Sequence, residues 1–178
     1  MKTLLNEQEV QASVTRMADE INERYGHQPV TIIGVMTGSV VLLADLIRQL
    51  KMPLKVGVVQ ARSYRGTATR PGQLTVNLEF LPECAGRHVL LVDDIFDTGR
   101  TLLELINLFQ SREPASVRSA VLLRKRGRQE VTTEPDFVGF EIPDEFVVGY
   151  GLDYCDEYRN LSFVAALEPT DLARGHDS

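Results

Sequence analysis

The stretch Val89-Leu90-Leu91-Val92-Asp93-Asp94-Ile95-Phe96-Asp97-Thr98-Gly99-Arg100-Thr101 constrains this chain more than any other. Four apolar residues run straight into three carboxylates and then into a Thr/Gly/Thr turn that opens a helix. An apolar run of this kind is a strand covered on both faces, as in a parallel sheet. Amides at a helix N-terminus, supplemented by hydroxyls, suit a phosphate monoester, and paired acids at a strand's carboxyl end suit a sugar diol or Mg²⁺. One site can thus hold a phosphorylated sugar at both ends.

The rest of the chain supplies a matching frame. Val10, Val14, Met17 and Ile21 recur at helical spacing within Asn6 to Arg24, with Asn6 and Glu9 placed as a cap and its reciprocal partner. Val30 to Met36 reads as a second buried strand, ending in Thr37-Gly38-Ser39, whose amides offer an anion contact just before the next helix. That helix is predicted from Val40 to about Lys51, stopped by Pro53. Strands are predicted at Leu54 to Val59, at Leu74 to Phe80, at His88 to Val92 and at Val117 to Leu123, with a helix from about Gly99 to Phe109. The alternation of strand and helix predicts an α/β fold: a central, mainly parallel, twisted sheet flanked by helices. Between two of the strands, residues 62–73 are polar, basic and glycine-bearing, the mark of a flexible functional loop. The last third, Phe137 to Leu167, is expected to form a small cap or hood, about residues 136–160, and the tail beyond Thr170 is polar.

At 178 residues, 43% hydrophobic and 25% charged, the chain suits a single domain spanning 1–178. The net charge of −6 argues against a protein that coats nucleic acid, unless basic residues are locally concentrated. Cys84 and Cys155 show no CxxC or Cys/His ligand spacing, so neither a zinc site nor a disulfide framework is expected. The N-terminus turns polar too soon for a signal peptide, and no apolar stretch approaches the roughly 20 residues of a membrane span. A reduced, cytoplasmic, soluble protein without membrane partners is expected. The acidic strand end also suggests a P-loop NTPase, yet the chain has no GxxxxGK[ST]. A phospho-acceptor receiver domain would carry its acids nearer the N-terminus. A strand end with solvated acids and a capped helix is the bland alternative.

The run Asp93-Asp94-Ile95-x-Asp97-Thr98-Gly99-x-Thr101 closely resembles the phosphoribosyl-pyrophosphate signature of type I phosphoribosyltransferases. Lys125, then Pro135 to Asp144, then Phe146 to Tyr154 resemble the base-binding hood of hypoxanthine-guanine phosphoribosyltransferases. The resemblance covers about Val30 to Leu167. It implies the type I phosphoribosyltransferase fold and Mg²⁺-dependent transfer of 5-phosphoribosyl from its 1-pyrophosphate to hypoxanthine or guanine.

By that resemblance, Asp93 and Asp94 hold the ribose hydroxyls and associated Mg²⁺, with Asp153 on a second Mg²⁺. Asp97 takes a proton from the purine ring, and Thr98, Gly99, Arg100 and Thr101 wrap the 5′-phosphate. The chemistry agrees, because a carboxylate beside two others gains proton affinity, which suits general-base work near neutral pH. Lys125 reaches the exocyclic oxygen of a 6-oxopurine, so adenine, lacking that acceptor, is rejected. Phe146 stacks on the base with Ile95 on its other side, and main-chain groups near Val147 and Asp153 supply discrimination. Arg159, Thr37 and Gly38 meet pyrophosphate, as do Ser63 and Tyr64 of the flexible loop, which closes over the site and excludes water. Many relatives carry lysine where Thr37 stands, a departure that bears on the loop's anion contact.

Arg124-Lys125-Arg126-Gly127-Arg128 places four cations in five residues. It supports an alternative function, a phosphoribosyltransferase-like regulatory protein that binds nucleotide and RNA, although no aromatic residue interleaves the cations. The partners implied by the main reading are small-molecule substrates, with no nucleic acid, in a homodimer or homotetramer.

Overall fold

The computed structural model describes residues 1–63, 74–76, 78, 81–168 and 171. In chain order the elements are β1 (Lys2–Leu5), α1 (Glu7–Tyr25), β2 (Val30–Met36), α2 (Val40–Ile47), β3 (Leu54–Ser63) and β4 (Leu74–Val76). They continue with β5 (His88–Phe96), α3 (Arg100–Gln110), β6 (Ser116–Lys125), β7 (Phe137–Ile142), β8 (Val147–Val148) and β9 (Val164–Ala166). The main sheet has the order β4-β3-β2-β5-β6-β7; β3, β2, β5, β6 and β7 run parallel, and β4 pairs antiparallel with β3. A second sheet, β1-β9-β8, is antiparallel. No helix of the described residues is long and apolar enough to cross a membrane.

Alternation along the central strands divides the core in two. Ile32, Leu90, Val92 and Leu122 face α1 and α2, while Ile33, Leu91, Val89 and Val121 face the side covered by α3. All four residues from Val89 to Val92 are fully buried, the double-faced burial that their unbroken apolar run predicts. α1 starts as its capping box requires: Glu9 N–H donates to Asn6 Oδ1 at 2.9 Å, and Asn6 N–H donates to Glu9 Oε2 at 2.7 Å.

Several boundaries differ from the sequence expectation, each for a physical reason. α2 ends at Ile47, a turn before Lys51, because the Asn22 side chain takes the next backbone groups: its Nδ2 donates to the Gln49 carbonyl at 3.0 Å, and Lys51 N–H donates to its Oδ1 at 2.8 Å. β5 runs on to Phe96, since its ladder with β6 continues past the acids, with Asp93 opposite Val121 and Ile95 opposite Leu123. β3 extends to Ser63, and of the strand expected from Leu74 to Phe80 the described part is Leu74–Val76. Phe137–Ile142, expected in the cap, is an edge strand of the main sheet. The hood sheet instead draws in Lys2–Leu5, whose short polar stretch gave no strand signal. Tyr64, most of the loop at 62–73 and the tail beyond Asp171 lie outside the described residues.

Gly139 joins α1 to the edge of the sheet. Its carbonyl accepts from Ser13 Oγ at 3.1 Å and from Arg16 Nη2 at 2.7 Å, and a Cβ there would fall 2.5 Å from the Leu122 carbonyl oxygen. Gly139→Ala is therefore expected to push β7 off β6 and to cost about 2 kcal/mol, lowering Tm by roughly 4–8 °C in a thermal melt; an unchanged Tm would show that the edge absorbs the methyl group.

Candidate active site

β2 and β5 are neighbours whose onward connections part, β2 leading to β3 on one side and β5 to β6 on the other. The crevice at the carboxyl ends of such diverging strands is where open parallel sheets bind ligands. A cleft of about 500 Å³ opens there, lined by Thr37 and Gly38 after β2, by Asp93, Asp94 and Asp97 of β5 and its extension, and by Asp153 and Arg159. A smaller cavity of about 210 Å³ adjoins it. Asp94, Ile95, Asp97 and Asp153 line both, whereas Lys125, Phe146 and Val147 line the smaller one alone.

Asp93 and Asp94 lie on the sheet, so its ladder fixes their backbone. Asp93 Oδ1 accepts from the Asp94 N–H at 3.0 Å, and Asp94 Oδ1 accepts from the Ile95 N–H at 2.8 Å. Burial, and then the neighbouring Asp94 charge, raise the Asp93 pKa well above the usual carboxylate value. Burial also raises that of Asp94, opposed by hydrogen bonds and by the Arg159 charge. The raised proton affinity that crowded carboxylates should show thus falls on this pair. Asp97 stands with its Oδ1 2.9 Å from Arg128 Nε. Gly38 is pressed against the Asp94 carboxylate so closely that a Cβ would overlap Oδ2, which makes glycine obligatory there.

The turn into α3 forms the phosphate end. Gly99 takes φ +83°, a conformation that glycine adopts without strain, and a Cβ there would also fall 2.5 Å from Val131. The N-cap Gly99 has no side chain to cap the helix, and although the Arg100 N–H reaches Thr98 Oγ1 at 3.5 Å, the amides that follow it lie beside the hydroxyls of Thr98 and Thr101, both in the cleft lining. The Thr98 carbonyl accepts from Glu130 N–H at 3.0 Å, pinning the turn from behind. Arg100, expected to wrap the phosphate with its neighbours, turns its side chain away: it is 71% exposed, 2.5 Å from Glu130 and not part of the cleft lining. Its contribution at this end is the main chain at the start of α3.

At the other end, Lys125 closes β6 with its Nζ 3.2 Å from Asp144 Oδ1. The half-exposed Phe146 meets the Tyr154 ring edge to face, with centroids 5.5 Å apart at 84°. Arg159 is held by the Gly151 carbonyl, to which its Nη1 donates at 2.8 Å, and by Asp153 Oδ1, 2.8 Å from its Nη2. Ser63 ends β3, its side chain outside the described residues, as is Tyr64.

The basic run is not a free patch. Arg124 pairs with Glu134 at 2.9 Å, Lys125 with Asp144, Arg126 with Glu141 at 3.3 Å and Arg128 with Asp97. Two residues that sequence reasoning did not place in the site are here: Arg128, on Asp97, and Asp144, between Lys125 and Arg128 at 3.2 and 3.7 Å. Arg128 was visible in the sequence only as one of four clustered cations. Asp144 was visible only as the last residue of the Pro135 to Asp144 hood stretch, because it meets Lys125 only after β7 lies down beside β6.

Comparison with known proteins agrees with this geometry. Residues 1–155 match the phosphoribosyl transferase domain family. The chain is 36% identical over 168 residues to the hypoxanthine-guanine phosphoribosyltransferase of Bacillus subtilis, covering 94% of this chain and 93% of that protein. A crystal structure of a Bacillus anthracis hypoxanthine-guanine phosphoribosyltransferase superposes with a TM-score of 0.88 at 35% identity, over 94% of this chain and 99% of that one. The hypoxanthine phosphoribosyltransferase of Trypanosoma cruzi, in a ternary substrates complex, superposes with a TM-score of 0.88 at 36% identity, over 96% of each chain.

Asp93 holds its proton more firmly in the folded chain than in the unfolded one. Its contribution to stability is therefore present below the unfolded value, near 4, and is lost as pH rises through the folded value. Asp93→Asn should raise Tm at pH 8 and leave it almost unchanged at pH 4 in melts without divalent cations. A pH-independent difference would show that the charge is not what strains this position.

Proposed function

Because the chain belongs to the phosphoribosyl transferase family, we propose that it transfers 5-phosphoribosyl from 5-phosphoribosyl 1-pyrophosphate to hypoxanthine or guanine, giving IMP or GMP and pyrophosphate in purine salvage. The observation that carries this reading is the junction of the two cavities at Asp94 and Asp97. The larger cavity, with its helix start and its carboxylates, suits the sugar phosphate; the smaller, with one amine and one aromatic face, suits a flat base bearing a carbonyl acceptor. Sugar C1 and the purine nitrogen then meet beside Asp97.

The residues divide the work by chemistry. First-turn amides of α3 with Thr98 and Thr101 hold the 5′-phosphate. Asp93 and Asp94 accept hydrogen bonds from the ribose hydroxyls. Lys125 donates to the 6-oxo group while Phe146 and Ile95 confine the ring, so the nucleophile arrives oriented. Asp97 removes the ring proton as the new C–N bond forms, and Arg159 with the amides of Thr37 and Gly38 receives the charge that develops on departing pyrophosphate. An unreleased purine proton or an unneutralised leaving group would each raise the barrier, and the two remedies lie on the same cleft.

Mg²⁺ belongs to this reading. Asp93 and Asp94 present hard oxygen donors whose charge is costly at that depth, and Asp153 lines the same cleft. Asp93, Asp94 and Asp153 are the residues that would hold the ion. When bound, it supplies positive charge to the pyrophosphate and ribose oxygens. The RNA-binding regulator is not favoured, since the cations it needs are paired with carboxylates. A cytoplasmic homodimer or homotetramer completes the proposal, supported by two free cysteines and by Val56 and Val58, exposed side by side on β3.

Nucleotide formation should be measured with phosphoribosyl pyrophosphate, Mg²⁺ and each of hypoxanthine, guanine, xanthine, adenine and uracil. Conversion of hypoxanthine or guanine without adenine is expected; folded protein that converts none would overturn the proposal. Asp97→Asn should lower kcat about 100-fold or more, and full turnover by that variant would remove Asp97 from the base role.

A further inference from the structure

Gly149-Tyr150-Gly151 is a turn with an unusual backbone. All three take positive φ, at +96°, +50° and +99°, and the middle one is a bulky tyrosine only 2% exposed. Glycine tolerates such angles freely; a tyrosine holds one only where its surroundings fix it. The Tyr150 backbone N–H donates to the Leu161 carbonyl at 2.9 Å, and its side chain is held outside the cleft. Tyr150 Oη donates to Asp45 Oδ2 on α2 at 2.7 Å, and Gln11 Nε2 on α1 donates to the same oxygen at 3.4 Å. Burial and the Asp45 carboxylate push the phenol pKa upward, so it stays a donor throughout the ordinary pH range.

The turn that this bond anchors touches both elements at the pyrophosphate end. Gly151 packs directly on the Gly38 carbonyl, leaving no room for a Cβ, and Gly38 in turn abuts the Asp94 carboxylate. On its other side the Gly151 carbonyl accepts from Arg159 Nη1 at 2.8 Å, and the Gly151 N–H donates to the Arg159 carbonyl at 3.0 Å. Tyr150 itself lines neither cavity. We propose that Tyr150 is a positioning residue: its bond to Asp45 on α2 sets the Gly149–Gly151 turn, and through it holds the Gly38 loop and the Arg159 guanidinium in register for the pyrophosphate group. The inference rests on the phosphoribosyl-transfer reading of the cleft and adds a residue to it.

The two ends of the site lean on this turn unequally. Gly38 and Arg159 contact Gly151 directly, whereas the base cavity meets the turn only through Leu152 and Asp153, which follow it, and its Lys125 and Phe146 stand elsewhere, so loosening the anchor should be felt far more by the donor than by the purine. The test is steady-state kinetics against each substrate, with calorimetric titration of pyrophosphate and Mg²⁺, on the intact protein and on Tyr150→Phe, Asp45→Ala, Asp45→Asn and the Tyr150→Phe/Asp45→Ala double variant. Tyr150→Phe is expected to raise KM for phosphoribosyl pyrophosphate and Kd for pyrophosphate about tenfold, the scale of one hydrogen bond to a charged group, with KM for hypoxanthine within about twofold. Asp45→Ala should match it, Asp45→Asn should restore near-normal values by keeping an acceptor, and the double variant should be no worse than either single one. Equal changes in both KM values, no change in either, or additive effects would overturn the inference while leaving the transfer reading intact. An unaltered protein that neither transfers nor binds pyrophosphate would overturn the reading of the cleft, and the inference with it. Should Tyr150→Phe fail to fold, the Asp45→Ala and Asp45→Asn pair decides by the same criteria.

Discussion

Two adjacent, partly buried carboxylates at the carboxyl end of a central parallel strand set the terms for the rest of this structure. Asp93 and Asp94 repel one another and lose hydration together, which a flexible loop would relieve by swinging them apart. They cannot swing, because β5 is paired on both sides, with β2 and β6, and the four residues before them are sealed into both cores. The stability of the whole sheet therefore stands behind a locally unfavourable arrangement. Gly38 follows from it as well, since the neighbouring loop reaches the cleft only if it carries no side chain against Asp94.

A net charge of −6 sits oddly with a donor that carries phosphate and pyrophosphate. The structure resolves this by placement. Cations along the rim are committed to carboxylates, as in the Arg124 to Arg128 run, while the cleft offers the start of a helix, loop amides and Arg159, which is held by Asp153 and Asp156. Attraction is thereby confined to the volume where anions are to sit, and the exterior gives little hold to a long polyanion. Lys125 belongs to the same economy: only 12% exposed, it waits on Asp144, so its charge is never buried alone.

How much of this the sequence disclosed depends on whether the deciding interactions were local. Strands buried on both faces, the capping box at Asn6 and Glu9, and the acidic run into α3 all carry their causes within a few residues, and all read correctly. The same locality marked Asp93, Asp94, Thr98 and Thr101 as chemistry rather than core. Long-range effects were invisible: Asn22 stopping α2 early, Phe137–Ile142 joining the main sheet, Arg128 settling on Asp97, and Arg100 turning out to Glu130. In each, a side chain met a partner that no spacing announces. The hood was legible as a motif but not as a sheet, because one of its strands comes from the opposite end of the chain.

That last pairing has a consequence for how the molecule is made. Lys2 lies opposite Ala166, and the terminal ammonium reaches Glu168 and Asp171, so these contacts span nearly the full sequence. In the main sheet β2 with β3, β5 with β6 and β6 with β7 pair strands close in sequence, and β2 with β5 spans a moderate gap, whereas β1 has no partner until β9 appears. The three-stranded sheet beside the base cavity is thus the least local part of the fold, and it closes only once β9 is in place between β1 and β8.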